Sequence, residues 1–466
     1  MLLARYLGPE GMGKYTYIYA FVTIFVPLVD LGLDHILIRE VTRNKEYARE
    51  YIGSTLTLKF LIVLFTLPLG MGITLLIGGS QDEIWAILLA FIGTLFFREI
   101  PTVVGSAVFL AYERMEFRIV ATILYQIIKA IATVIIVLLG GGLVPIFGAL
   151  LLAEAGQGLL AMRIVFRKFI RPRLSFDPKI WRFFVKESLP IGIAFTFHSY
   201  YFQIDVLILK YFRSTEETGL FGVPFRVITT LFTVLIPMIW VLLPHLTRAA
   251  KDSLQKLHED GQGYLKAIAV ITMGITAYLI LEARELTISI FGAEYERSAA
   301  VLAVISPVII FHALLYFFDL SFMAVGRQKL VIVGSGIIFT VKLIADLIFV
   351  PVYGIMGAAV GTLAADMACF TVMYYLARKY VASFDFGRIM IKPLSAVICA
   401  SIVLWLIRNL PYYSTFVLFG LTYFFFIWLF RVVSKDQRAF LKQTLQGLGR
   451  KAGVRLSRSV RNDDLP

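Results

Sequence analysis

The stretch Ser188–Phe221, SLPIGIAFTFHSYYFQIDVLILKYFRSTEETGLF, decides how the chain is read. Its apolar part is long enough to cross a bilayer, because a helix rises about 1.5 Å per residue and the hydrocarbon core is about 30 Å thick. Asp205 lies well inside it, where an ionised carboxylate has no bulk water and is costly to keep. The end of the stretch, LKYFRSTEETGLF from Leu209, repeats the start of the chain, ARYLGPEGMGKY from Ala4. Both run from a small or apolar residue through a cation, Tyr and an apolar residue to an acid and a Gly before an aromatic. An intramembrane acid and an internal repeat on one helix point to a transporter.

The rest of the composition agrees with a bilayer solvent. Of 466 residues, 59% are hydrophobic and 14% aromatic, and the mean hydropathy is +0.81. Soluble domains carry about 45–50% apolar residues. Unbroken apolar runs such as Leu56–Ile77 fit helices, whereas barrel strands alternate over about ten residues. The fold class read from this is all-α and polytopic. Cys369 and Cys399 sit in apolar segments with no metal or disulfide spacing, and neither a metal nor a cofactor is expected. No secretory signal is visible, since Arg5 follows Met1-Leu-Leu-Ala directly.

Thirteen spans are expected: Tyr15–Ile38, Ser54–Ile77, Ile84–Ala111, Ile119–Leu139, Val144–Phe166, Phe183–Phe212, Leu220–Leu243, Leu265–Phe291, Ala299–Val325, Leu330–Val352, Ile355–Ala377, Ile389–Ile407 and Tyr413–Phe430. The apolar Met1–Ala4 reads as the tail of a further helix; either the chain is shortened at its start or it begins outside the membrane. A formal charge of +14 suggests nucleic acid until the cations are placed. Most of the 45 Lys and Arg residues fall in one alternating set of loops, including Arg39–Arg49, Arg163–Lys186, Arg248–Lys266 and the C-terminal segment. The other set holds few, among them Lys14, Lys210 and Arg213. The basic set is therefore read as cytoplasmic, and no nucleic-acid partner is expected.

The repeat extends beyond its first echo. FLAYERMEFR at Phe109–Arg118 matches FMAVGRQKLV at Phe322–Val331 without a gap, and VPIFGA at Val144 weakly echoes VYGIMGA at Val352. Two like-oriented halves of six helices each are expected, with the substrate path between them. The divisions read from this are 1–170, 171–382, an additional pair at 383–433 and a basic cytoplasmic tail at 434–466. In that tail Leu441, Leu445 and Leu448 suit either a helix lying on anionic headgroups or a solvated segment.

Lys59, Arg98, Lys129, Arg226, Arg284 and Lys342 remain inside spans, as do acids including Asp30, Asp34, Glu99, Glu154, Asp205, Asp319, Asp346 and Asp366. Arg284 is near a membrane face and can snorkel to water. Lys59, Arg98 and Lys129 come from three helices of the first half; each alone fits structural pairing as well as ligand contact, but together with Arg226 they suggest a cavity for an anion. His198 and Asp205 are seven apart, as are His312 and Asp319. Such pairs suit either a proton relay or ordinary buried hydrogen bonding. No nucleophile–base arrangement, phosphate loop or large external domain is recognisable, so an enzyme is not expected.

ARYLGPEGMGKY from Ala4, DLGLDHILIRE from Asp30, FGAEYERSAAVL from Phe291 and VPVYGIMGAA from Val350, in this order and spacing, resemble the polysaccharide-biosynthesis membrane proteins. These are the lipid-linked oligosaccharide flippases of the multidrug/oligosaccharidyl-lipid/polysaccharide superfamily. The resemblance implies fourteen helices in two six-helix lobes plus a final pair, with most of the first helix missing here, and alternating access in the cell inner membrane. It implies a polyprenyl-diphosphate-linked glycan as substrate, membrane lipids around it and contact with a glycan polymerase or glycosyltransferases. A multidrug or small-solute cation-coupled exporter of the same superfamily is the alternative. By the same resemblance Asp205, Asp346 and Thr362 fall where related flippases hold sodium, and Lys342 stands where an amide oxygen would be. An ammonium only donates; Lys342 either reaches Asp346 one turn away as a tethered counter-ion or snorkels away from the acids.

Overall fold

The computed structural model describes residues 2–172, 174–406 and 412–432, and every regular element among them is helical. The first half comprises α1 (Leu2–Thr23), α2 (Val26–Asp30), α3 (Leu33–Arg43), α4 (Ala48–Ile77), α5 (Gln81–Phe91), α6 (Ile100–Ala111), α7 (Glu116–Leu138) and α8 (Leu143–Lys168). The second comprises α9 (Pro178–Tyr201), α10 (Ile204–Phe212), α11 (Thr215–Trp240), α12 (Leu243–Asp252), α13 (Leu254–Leu281), α14 (Ala283–Phe291), α15 (Glu296–Ile305), α16 (Val308–Ala324), α17 (Lys329–Tyr353) and α18 (Ile355–Tyr380). A last pair, α19 (Phe386–Leu406) and α20 (Tyr412–Leu429), follows. Among the described residues ten helical stretches are long and apolar enough to cross a membrane, and α15–α16, bent by 41°, makes an eleventh. The chain is a multi-pass membrane protein. The C-terminal tail, with Leu441, Leu445 and Leu448, lies outside the described residues.

Several expected spans prove to be broken or shifted, each for a local reason. Helix starts at Leu2 rather than Tyr15, because Gly8 at φ 64° followed by Pro9 lets the chain bend and continue. The expected Tyr15–Ile38 span instead stops at Asp30, where Leu31 (φ 45°) and Gly32 (φ 76°) turn left-handed before α3 begins. The Phe183–Phe212 span is two helices parted at Phe202–Gln203. Pro307 breaks Ala299–Val325. Conversely α13 starts at Leu254, well before Leu265, because HEDGQGY is helical though not apolar.

The two halves meet where α1 lies against α11. Gly13 faces the Thr215 carbonyl, and Gly219 faces the Pro9 carbonyl, so closely that a methyl group at either position would overlap backbone. The contact is reciprocal between equivalent residues of the repeated segment, a small-residue crossing of the kind membrane helices use. One buried apolar cluster spans both halves, and a second lies among α12, α13, α16, α17 and α18. The last pair packs on α13 through Tyr278, Phe419 and Tyr423, whose hydroxyl donates to the Val270 carbonyl at 2.7 Å.

Candidate functional site

Two adjoining cavities of about 560 and 380 Å³ lie between the halves and share Met12, Tyr15 and Arg226 as walls. Tyr19 and Gln203 line the first, and Gln126 and Lys129 the second. Lys129 on α7 and Arg226 on α11 therefore face one space from opposite halves. The Arg226 guanidinium sits 5.9 Å from the Tyr19 ring centre and the Lys129 ammonium 5.5 Å from that of Tyr125. Among the described residues neither cation has a carboxylate within 4.0 Å. Lys129 is in electrostatic range of Arg226, Arg98, Tyr19 and Glu154.

Arg98 stands on the π-helical turn Ile92–Glu99 between α5 and α6, a widening that re-aims side chains in membrane helices. It is held by Glu99 at 3.2 Å and by Glu154 of α8 at 3.6 Å. Glu154 is 1% exposed and also accepts from Thr94 at 3.5 Å. Lys59 is set further back. Its fully buried ammonium bonds Asp30 at 2.9 Å and Asp34, which flank the left-handed turn at Leu31–Gly32. The four basic residues read from the sequence thus divide: Lys129 and Arg226 face the cavities, and Arg98 and Lys59 sit in carboxylate cages beside them.

The second half carries a separate buried cluster. Asp205 on α10, Lys342 and Asp346 on α17, and Thr362 on α18 are at most 1% exposed. The Lys342 ammonium bonds Asp205 at 2.7 Å and donates to Thr362. It also lies 4.8 Å from the Tyr201 ring centre. The ion pair is with Asp205, not with Asp346 one turn along, because the side chain runs across to α10. Both oxygens of Asp346 and Oδ2 of Asp205 lack a hydrogen-bond partner among the described residues. His198 and Asp205 do not share a face as their spacing suggests: the break at Phe202–Gln203 separates them. His198 instead meets the Tyr316 hydroxyl at 3.0 Å. His312 meets Asp366 at 2.9 Å, and Asp366 accepts from the Tyr201 hydroxyl at 2.5 Å.

Tyr15, Tyr19, Gln203 and Tyr201 were not singled out by sequence reasoning. Tyr15 and Tyr19 are one turn apart behind Lys14, which is a signal available only in hindsight. Tyr201 and Gln203 carry none, since aromatic and amide residues are ordinary in such helices.

The polysaccharide biosynthesis protein family model matches residues 1–250, and the lipid II flippase MurJ model matches residues 225–427. The chain is 23% identical over 417 residues to the probable low-salt glycan biosynthesis flippase Agl15 of Haloferax volcanii, covering 86% of this chain and 84% of that one. It is 21% identical over 388 residues to the capsular polysaccharide biosynthesis protein CapF of Staphylococcus aureus, covering 81% and 94%. Among solved structures it is similar to lipid II flippase MurJ in an inward closed conformation, with a TM-score of 0.76, 15% identity and coverage of 92% and 94%. It is also similar to an inward-facing multidrug resistance transporter of the MATE family, with a TM-score of 0.66, 14% identity and coverage of 82% and 92%.

Proposed function

Because the chain belongs to the polysaccharide biosynthesis protein family, we propose that it is a flippase carrying a polyprenyl-diphosphate-linked oligosaccharide across the cytoplasmic membrane. One observation carries this reading to the residues: Lys129 and Arg226 face a shared cavity from opposite halves without a carboxylate partner. Guanidinium and ammonium groups bind phosphate oxygens through charge-assisted hydrogen bonds. In this reading the diphosphate sits between the two cations, the sugars occupy the wider cavity past Tyr19 and Gln203, and the lipid tail stays in the bilayer. Residues 1–170 and 171–382 act as the two lobes, rocking about the substrate, with 383–433 as an additional pair. Arg98 and Lys59 act as positioning residues, because each is already matched by acids. The chain transports its substrate and does not transform it; glycosyltransferases and a polymerase act before and after it.

Agl15, named as a probable glycan biosynthesis flippase, and the lipid II flippase MurJ support this reading, and two cations without a carboxylate partner favour an anionic substrate over a cationic drug. The test is export in cells that lack the endogenous protein, complemented with wild type, Lys129→Ala, Arg226→Ala or both. A charge-assisted bond contributes about 1.5–3 kcal/mol, so each single change lowers transport about tenfold or more. The double variant abolishes surface glycan at normal protein abundance, and lipid-linked precursor accumulates. Wild-type export by the double variant would remove the basis of the reading.

A further inference from the structure

We propose that the packing of the α2–α3 turn on α9 is a cytoplasmic door in the transport path, a contact between the halves that parts and re-forms in each cycle. The principal contacts between the halves fall into two groups. One is the α1–α11 crossing, with α10 and α14 beside it; the other brings α2, α3 and α4 against α9. In the second group Gly32 faces the Gly192 backbone and the Ser188 carbonyl, and Gly192 faces the Leu31 carbonyl. A methyl group on Gly192 would overlap that carbonyl. This is a second glycine crossing, and in each half the cavity walls fall between the two along the chain. Tyr15, Thr16 and Tyr19 lie between Gly13 and Gly32, and Ser199, Gln203 and Val206 lie between Gly192 and Gly219. Arg39, Arg43 and Lys179 put the end of α3 and the start of α9 among the loops read as cytoplasmic.

The bonds across this seam are of a kind that breaks readily. The buried ion pairs of Lys59, Arg98 and Lys342 each stay within one half. The pair that joins the halves here, Arg39 with Glu187 at 3.1 Å, is 41% and 42% exposed, and an exposed pair holds little. Beside it the Trp181 indole N–H donates to the Ser54 carbonyl at 3.1 Å. Ring edges meet at His35–Phe195 and Tyr51–Phe184, with centres 4.6 and 5.6 Å apart. Where glycine backbones meet directly, no side chains interlock at the crossing, so the helices separate there without repacking. The turn itself is held from within its own half. Leu31 and Gly32 are left-handed, and Asp30 and Asp34 on either side both bond Lys59 of α4. The turn therefore keeps its shape when α9 leaves it, and α9 returns to the same surface.

The door serves the transport reading above, but its movement is measured without any substrate. Spin labels are placed at Thr42→Cys with Lys186→Cys on α3 and α9, or at Glu10→Cys with Glu216→Cys on α1 and α11. All four positions are exposed, and Cys369 and Cys399 are replaced in the full chain. Distances are read by pulsed electron paramagnetic resonance in lipid nanodiscs. The 42/186 pair is expected to show a short and a long distance with otherwise native packing. Gly192→Leu, at an ordinary helical position, removes the short 42/186 distance and leaves the 10/216 pair short; Gly219→Leu does the reverse. Glu187→Arg depletes the short 42/186 population, and adding Arg39→Glu restores it. A single short 42/186 distance with native packing overturns the proposal and makes the contact a fixed joint, as does a short distance that survives Gly192→Leu. Lengthening of both pairs together by Gly192→Leu also overturns it, since that reports loosened halves. If the distances behave as expected while Lys129→Ala/Arg226→Ala exports normally, the substrate reading falls and the door stands.

Discussion

Lys59 illustrates why a buried cation in a membrane helix has two readings that sequence alone leaves open. Its side chain is wholly enclosed and held by Asp30 and Asp34, so removing the ammonium strands two carboxylates in a poor solvent. Lys59→Met is expected to lower folding stability by on the order of 3 kcal/mol, read as a fall in melting temperature. Adding Asp34→Asn restores part of the loss. An unchanged melting temperature for Lys59→Met would show that the acids find water instead. That Lys59, Arg98, Lys129 and Arg226 matter was legible because each interrupts an apolar run. Which of them are free was not, because Glu154 lies on a different helix from Arg98 and its distance from it is set by packing. The same limit hid the pairing of Lys342 with Asp205: an i,i+4 neighbour is visible in sequence, whereas a residue on another helix is not.

At the scale of the element, the reciprocal contact of α1 with α11 sets how closely these two helices approach. Gly13 and Gly219 have backbone from the other helix where a Cβ would be, so alanine at either forces the helices apart. One step further along, the Thr16 Cβ and a Cβ built on Gly222 are 3.3 Å apart, close to the about 3.5–4.5 Å spanned in disulfides. A Thr16→Cys/Gly222→Cys pair is expected to cross-link on mild oxidation and to block export until reduced. The same pair in a Gly13→Ala background cross-links poorly. Efficient cross-linking despite Gly13→Ala would mean that the glycines are not what brings the helices together. The repeat was readable because it combines Gly, Tyr and charges in order. The breaks at Phe202–Gln203 and Leu31–Gly32 were less so: SYYFQ contains no Gly or Pro, and hydropathy continues across both.

For the whole molecule, the placement of cations predicts an orientation that can be tested. Positions 171 and 256 are expected on the cytoplasmic side and 216 and 294 on the external side. Single cysteines there, in a chain with Cys369 and Cys399 replaced, are treated with an impermeant thiol reagent in intact cells; 216 and 294 label while 171 and 256 label only after permeabilisation. Glu294 is chosen over its neighbour because Tyr295 is buried, donating to the Ala4 carbonyl at 2.9 Å. The all-helical membrane architecture was legible from hydropathy and charge, since the bilayer admits few backbone solutions. The bends within it were not, because hydropathy runs on across Gly8–Pro9, Leu31–Gly32 and Pro307 and does not register the backbone turns made there.

The central claim is tested most directly with purified protein in sealed vesicles carrying a labelled polyprenyl-diphosphate glycan in both leaflets, with a glycosidase added outside. The account predicts that wild-type protein renders the inner-leaflet pool cleavable, while the Lys129→Ala/Arg226→Ala double variant leaves it protected. An inner pool that stays protected with the wild type, or that opens equally fast with the double variant, would contradict it.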